Sequence, residues 1–174
     1  PADAKETAVC FRVAMEDRDH PSALLLTRQG VPVLDQDYGA LDQNVRRGAY
    51  VVKDCETEPE LVFIATGSEV SLALETAELM LDKKIRVISM PCMEIFDKQP
   101  DDYRDQLIPK RGCLKITIEA GITAGWKKYA GVNGLSIGLD HYGASAPGKD
   151  LAHEFGFTAE KVEGKIRAHL KNLL

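Results

Sequence analysis

Residues 60–91 read ELVFIATGSEVSLALETAELMLDKKIRVISMP, and this stretch decides the fold class. Leu61–Ala65 is a continuous run of apolar strand formers, which predicts a buried strand. Apolar residues then recur at helical spacing through residues 70–81, and Ile85–Ser89 has a second strand pattern. A strand, a helix and a strand within about thirty residues predict a βαβ unit with two parallel strands.

The turn inside this unit is the first candidate site. Thr66 and Glu69 have the spacing of a capping box, in which each side chain bonds to the other's backbone amide. Gly67 permits a positive φ. A helix N-terminus after a strand can also bind an anion, but TGSE matches neither a dinucleotide-binding motif nor a P-loop, and Glu69 would repel phosphate. A capped helix start is therefore favoured over a ligand site.

Composition excludes several classes of function. The chain has 174 residues, 44% of them hydrophobic, which suits one domain with a core and an attached piece. Its net charge of −5 offers no general attraction to nucleic acid or to an anionic membrane. No run has transmembrane length, and no signal peptide is visible. The cysteines lack metal-ligand spacing and predict reduced thiols of a cytoplasmic protein; they are Cys10, Cys55, Cys92 and Cys113.

The residues before the βαβ unit predict a piece that needs a sheet from elsewhere. Asp3 is a good N-cap with Glu6 three residues later, which predicts a helix to about Asp17. Ala23–Thr27 predicts a strand, and one helix with one strand cannot form a sheet alone. Residues 29–48 show little periodicity and predict a linker or a long crossing loop.

The rest of the chain alternates strands with helices. Further strands are predicted at residues 49–53 (an edge), 113–118 and 135–139. Helical segments are predicted within residues 94–104, at 124–130, at 150–155 and after the N-cap Thr158, with Val162, Ile166, Leu170 and Leu173 turned inward. This order predicts an α/β domain with a mostly parallel sheet of about five strands and helices on both faces.

Five motifs occur in order along nearly the whole chain. They are PADAKET (residues 1–7), LTRQGVP (26–32), ATGSEV (65–70), FDKQP (96–100) and HEFGFT (153–158). Together they resemble the C-terminal part of a transketolase. The resemblance implies that residues 1–34 end the pyrimidine-binding (middle) domain, that 35–47 form a linker and that 48–174 form the C-terminal domain. The sheet that the predicted strand Ala23–Thr27 needs would then belong to the rest of the middle domain.

The resemblance also implies an activity for the intact parent enzyme. Transketolases transfer a two-carbon ketol unit from a ketose phosphate to an aldose phosphate in the pentose phosphate pathway. They use thiamine diphosphate and a divalent metal such as Mg²⁺, bound between the subunits of a homodimer. The family's diphosphate motif and its pyrimidine-activating glutamate match no stretch of this chain, and no cluster of residues has metal-site spacing. We therefore expect this chain alone to bind no cofactor and to have no activity.

One residue matches a family site: Arg28 in Thr-Arg-Gln, which the resemblance places on the phosphate of the substrate. A guanidinium suits this role because its paired donors match phosphate oxygens and its charge is constant. The alternative is an arginine that caps a helix or pairs with a carboxylate. Gly30 stands where the family usually has Asn, a departure that affects loop flexibility more than chemistry.

Other polar candidates have weaker patterns. His141 and Ser145 lie in a glycine-rich loop with no positioned acid, so a catalytic triad is not expected. Glu119 follows a strand and either faces an interface or is solvated. Trp126 and Tyr129 share a helical face, which favours the core or a dimer contact over a stacking platform.

Three functions therefore stay open at the level of sequence. The first is the C-terminal part of a transketolase, which supplies Arg28 and dimer contacts. The second is a regulatory module that binds a small anion at the Gly67 turn. The third is a purely structural dimerisation domain.

Overall fold

The protein is built around a five-stranded sheet in a computed structural model that describes residues 1–173. The strands are β1 (Tyr50–Lys53), β2 (Leu61–Ala65), β3 (Ile85–Ser89), β4 (Leu114–Ile118) and β5 (Leu135–Ile137). Their order in the sheet is β1-β3-β2-β4-β5. β2 pairs in parallel with β3 and β4, and β4 pairs in parallel with β5, whereas β1 runs antiparallel to β3 at one edge. The predicted α/β fold with a mostly parallel sheet is confirmed.

Helices cover both faces of this sheet, as predicted. They are α1 (Ala4–Glu16), α2 (Tyr38–Val45), α3 (Glu69–Leu79), α4 (Met93–Asp97), α5 (Asp101–Leu107), α6 (Lys127–Ala130), α7 (Gly148–Phe155) and α8 (Ala159–Asn172), with a 3₁₀ turn at Thr123–Gly125. α3 and α8 pack on one face, and α4, α5 and α6 pack on the other. No helix within residues 1–173 combines the length and the apolar character that a bilayer crossing requires.

The central position of β2 in the sheet explains why its sequence is apolar without alternation. All five of its residues are buried, because both faces of the strand are covered. Phe63 packs in the cluster that contains Ile166 of α8, and Ile64 packs in the cluster that contains Trp126 and Phe96. Each side chain of β2 therefore has a core on its own side.

The strand predicted at Ala23–Thr27 is absent, and that prediction is wrong. Residues 21–27 belong to no helix or strand, and Leu25 is 86% exposed. A strand needs a neighbouring backbone to pair with, and the described residues bring none alongside this apolar run. The local pattern indicated apolar character correctly but could not supply the partner.

The segment 29–48, predicted as a linker or a long crossing loop, is not entirely a loop. Residues 29–48 contain α2, which begins after the N-cap Asp37, whose side chain accepts from the amide of Ala40. Leu41 and Val45 are buried in a cluster with Val9 of α1. The helix is only two turns long, so its pattern was too short to recognise, and its packing on α1 stabilises it.

The predicted capping box at the start of α3 is wrong as well. The helix begins at Glu69, and its N-cap Ser68 makes no capping bond from its side chain. Instead the Ser68 hydroxyl donates a 3.0 Å hydrogen bond to the carboxylate of Glu69. Gly67 does take the positive φ that was predicted, at 59°. At its other end α3 stops at Leu79, whereas the helical pattern extended to Met80 or Leu81.

Smaller differences concern the remaining helices. Residues 94–104 were predicted to hold one short helix, and the structure has α4 and α5 there. The segment predicted as a helix at 124–130 divides into the 3₁₀ turn and α6. Thr158 caps α8 as predicted, and Val162 and Ile166 are buried, but Leu173 is 47% exposed because it lies beyond the end of the helix.

Candidate functional site

Arg28 lies in the exposed segment that follows α1. It joins none of the ion pairs formed among residues 1–173, so its charge faces solvent. The neighbouring Gln29 donates a 3.3 Å hydrogen bond to the hydroxyl of Ser68. This contact brings the segment to the carboxyl end of β2, which is the edge where ligand sites of α/β sheets gather.

A cavity of about 420 Å³ opens at the same edge. One wall is the β2–α3 turn with Gly67 and Glu69, together with Glu119 after β4. The opposite wall is α1 and the segment 22–27. The cavity therefore lies between the N-terminal segment and the sheet domain.

Two carboxylates face this cavity from neighbouring strands. β2 and β4 are parallel, and their last residues Ala65 and Ile118 are register partners. Glu119 follows Ile118 directly, and Glu69 begins the helix that follows Ala65 after a short turn. The two side chains are therefore brought together by the sheet, although 50 residues separate them in the sequence (119 − 69).

The two carboxyl groups have different surroundings. Burial, followed by the negative charge of Glu69, raises the pKa of Glu119 to about 7. Burial also raises the pKa of Glu69, while hydrogen bonds from Ser68 and from backbone N–H groups lower it. The Oε2 atom of Glu119 is buried and accepts no hydrogen bond from the described residues. The sequence pattern left Glu119 as either solvated or at an interface; the structure shows that it lines a cavity wall, and the interface alternative stays a prediction.

The cavity does not suit a phosphate or a metal. None of its described lining residues is Lys, Arg or His, so no side-chain cation is available to an anion there. Residues 1–173 also contain no group of three His, Cys, Asp or Glu side chains placed to hold a metal ion. The residues present therefore do not fit a metal-bound diphosphate.

A second cavity of about 370 Å³ lies on the face of the sheet that α4, α5 and α6 cover, and four cations line it. Three of them have a carboxylate partner and the fourth donates to a backbone carbonyl; the pairs are Arg104–Asp101, Lys110–Asp105, Lys128–Asp97 and Lys115–Lys110 O. Because these charges are already compensated, the cavity is a weak candidate for an anion site.

A buried glutamate connects the N-terminal helix with the sheet. Glu6 accepts hydrogen bonds from the hydroxyl of Tyr50 at 2.8 Å, from that of Ser89 at 2.7 Å and from the amide of Ala2. The sequence indicated Glu6 only as a partner of the N-cap Asp3, whose carboxylate does accept from the amide of Glu6 at 2.7 Å. The inward role of Glu6 was missed because nothing local distinguishes it from an exposed glutamate.

The remaining candidates stay apart from the cavity. His141 is exposed, and its Nδ1 lies 2.8 Å from the carbonyl oxygen of Tyr142. Ser145 is also exposed. Trp126 and Tyr129 are buried in the core on the α6 face, with ring centroids 6.0 Å apart, so they form no stacking platform for a ligand.

Comparisons with known proteins agree on one family. A family model described as the transketolase-like TK C-terminal domain matches residues 48–158. The chain is 42% identical to the transketolase of Aquifex aeolicus, over 95% of this chain and 24% of that protein. It is 43% identical to transketolase 1 of Escherichia coli, over 96% of this chain and 25% of that protein.

Solved structures give the same result. The transketolase of Leishmania mexicana superposes with a TM-score of 0.89 at 37% identity, over 99% of this chain and 25% of that one. A Pichia stipitis transketolase in complex with sedoheptulose-7-phosphate superposes with a TM-score of 0.88 at 31% identity, over 98% of this chain and 24% of that one. This chain thus spans about a quarter of the length of the relatives it matches. It belongs to the transketolase family and contains that family's C-terminal domain.

Proposed function

We propose that this chain is the C-terminal part of a transketolase and that Arg28 binds the phosphate of the sugar substrate there. The single observation that carries the proposal is the position of Arg28. Arg28 is exposed and has no ion-pair partner within residues 1–173, and its neighbour Gln29 contacts Ser68 at the carboxyl edge of the sheet. An arginine in that state keeps its paired donors available to an anion.

The substrate class follows from the family. One transketolase with a similar structure was solved in complex with sedoheptulose-7-phosphate, a ketose phosphate. We assign to the intact enzyme the transfer of a two-carbon ketol unit between sugar phosphates in the pentose phosphate pathway. The phosphate is the most highly charged group on such substrates, so an arginine fork aimed at it would contribute both affinity and orientation.

The domain assignment is part of the same proposal. Residues 1–34 would end the middle domain, residues 35–47 would connect it, and residues 48–174 would be the C-terminal domain. The apolar side chains of the first part support this assignment, since Leu25, Leu26 and Val33 are each more than half exposed in the described chain. We assign their burial to the rest of the enzyme and to its homodimer interface.

Thiamine diphosphate and its divalent metal would then be held by other parts of the enzyme. The donor set described above fits neither group, so we derive no catalytic step for them from this chain. We expect the chain alone to have no activity. The four cysteines are free thiols, which supports a cytoplasmic location for the enzyme.

The alternative of an anion-binding regulatory module finds less support. Its expected pocket was the Gly67 turn, and that turn lines a cavity with Glu69 and Glu119 but without a side-chain cation. A small anion would meet repulsion there. A purely structural role in the dimer stays compatible with the fold, and the test of Arg28 distinguishes it.

That test is steady-state kinetics of Arg28→Ala in the full-length enzyme. Loss of one bidentate partner of a phosphate costs about 1.5–3 kcal/mol of binding, which raises KM for phosphorylated substrates roughly ten- to a hundredfold. An unphosphorylated hydroxyketone donor should be affected far less. Arg28→Lys should restore part of the loss, because an ammonium lacks the fork.

Arg18→Ala is the matched control, because Arg18 is another exposed arginine in the segment after α1. It should leave KM unchanged for both substrate classes. Equal losses by Arg28→Ala on phosphorylated and unphosphorylated donors would contradict the phosphate role and leave Arg28 as a structural residue.

A further inference from the structure

The pair Glu69 and Glu119 has a feature that phosphate recognition does not use. Glu119 directly follows β4, Glu69 follows the adjacent parallel strand β2 after a short turn, and both carboxylates line one cavity. Two like charges in a partly enclosed space are unfavourable, and a single proton between them removes the repulsion.

Hydrogen bonding indicates where that proton resides. Glu69 accepts from the Ser68 hydroxyl at 3.0 Å and is further stabilised by the N–H of Ala120. Acceptor bonds of this kind favour an ionised carboxylate. Glu119 has a buried Oε2 with no donor among the described residues, and such an oxygen is better tolerated when its carboxyl group is neutral. Glu119 is therefore the protonated member.

The other groups that face the cavity do not compensate a second negative charge. The cavity is lined by Cys10 of α1, a thiol whose pKa is raised by burial, and by Asp17 directly after α1, which adds negative charge. Cys92 before α4 is likewise a thiol with a raised pKa. Among the described residues that line the cavity, Pro1 contributes a positive amino group, which lowers the pKa of Glu119. The segment 22–27 contributes no charged residue to the wall.

We propose that Glu69 and Glu119 share one proton and form a pH-sensitive switch, in which loss of that proton loosens the packing of residues 10–27 over the cavity. A second carboxylate charge requires water, and water can enter where the cavity wall is least bonded. That wall is the segment 22–27, which has no helix or strand hydrogen bonds to hold it. The sheet side of the cavity is held by the β2–β4 ladder.

The sign of the pH dependence follows from the direction of the shift. The pKa of Glu119 rises from 4.5 to about 7 in the folded protein, so the folded state retains a proton that the unfolded chain has released. The contribution of this group to stability therefore decreases as the pH rises from about 4.5 to about 7, and it stays level above that.

The experiment is hydrogen exchange followed by mass spectrometry on the protein between about pH 5 and about pH 8.5, corrected for the intrinsic pH dependence of exchange. In the unmodified protein, residues 10–27 should open more often as the pH rises from about 5 to about 7, by up to about tenfold for each pH unit, and the frequency of opening should change little between about pH 7 and about pH 8.5. Glu119→Gln should remove this dependence, because an amide cannot ionise. Glu69→Gln should move it to lower pH, because the repelling charge is gone. Glu154→Gln, an exposed glutamate on α7, should behave as the unmodified protein does.

A direct titration keeps the test decisive if a variant does not fold. The ¹³C chemical shift of the Glu119 carboxyl group in the unmodified protein should titrate near neutrality. A midpoint in the ordinary range of a glutamate, or the same pH dependence of opening in Glu119→Gln as in the unmodified protein, would overturn the proposal.

Discussion

The hydroxyl of Tyr50, at the start of β1, donates a 2.8 Å hydrogen bond to the carboxylate of Glu6 in α1, across 44 positions of sequence. Both residues are buried, and the same carboxylate oxygen accepts from Ser89 of β3. A helix from one end of the chain is thereby fixed to two strands of the sheet. Burying the carboxylate of Glu6 costs free energy, but the three hydrogen-bond donors around it compensate this cost.

We predict that Glu6→Ala lowers the free energy of unfolding by about 2–4 kcal/mol, because it leaves the Tyr50 and Ser89 hydroxyls buried without their acceptor. Glu6→Gln should cost less, since its amide oxygen can still accept from both hydroxyls. Chemical denaturation of the two variants measures the difference. Equal midpoints for Glu6→Ala and the unmodified protein would show that this network contributes nothing to stability.

A second prediction concerns the turn before α3. Gly67 has a φ of 59°, and a Cβ there would meet nothing closer than the Glu69 carboxylate at 4.0 Å. Backbone conformation, and not a lack of space, therefore limits which residues can replace Gly67. Gly67→Val should cost about 1–3 kcal/mol in a denaturation experiment, because a β-branched residue is strained at positive φ. Gly67→Asn is the matched control and should cost clearly less, since Asn adopts this conformation more readily.

The sequence predicted well what depends on neighbours in the chain. The run Leu61–Ala65 and the helical spacing after it gave β2, α3 and β3 with their parallel pairing. Asp3 and Thr158 were recognised as N-caps because capping needs only a side chain and the next turn. Tertiary partners could not be predicted from neighbours in the chain. Ala23–Thr27 has the composition of a strand, but the described residues place no strand beside it.

In the candidate site, too, local features were predicted from the sequence and tertiary contacts were not. Arg28 was found through its motif, and its role on phosphate stays a prediction. The pairing of Glu69 with Glu119 depends on β2 and β4 being neighbours, and no local pattern specifies the order of strands in a sheet. Glu6 was missed for a similar reason, because its partners Tyr50 and Ser89 are far away in sequence.

A third prediction is that the chain alone shows no saturable heat when titrated with thiamine diphosphate and Mg²⁺. The described lining of the cavity at the sheet edge offers several carboxylates and no side-chain cation, so a diphosphate meets mainly repulsion there. Isothermal titration calorimetry measures this directly, with the full-length enzyme as the positive control. A tight, saturable signal from the chain alone would contradict the assignment of cofactor binding to other parts of the enzyme.

A fourth prediction concerns local stability. Backbone amides of residues 18–30 should exchange with solvent well before those of β2, because this segment has no helix or strand and Leu25 is almost fully exposed. Hydrogen exchange at a single near-neutral pH is sufficient. Protection of residues 18–30 equal to that of Leu61–Ala65 would mean that the segment has a partner, such as a second copy of the chain.

The two outer strands of the sheet have a consequence for colloidal behaviour. β5 has only three residues, and β1 has four with a shift of register between Val51 and Lys53. Short or irregular edges present few consecutive free amides and carbonyls to the backbone of another molecule. The sheet is therefore a poor template for end-to-end growth into fibrils, and the apolar side chains of residues 25–33 are the more vulnerable surface when the chain is concentrated alone.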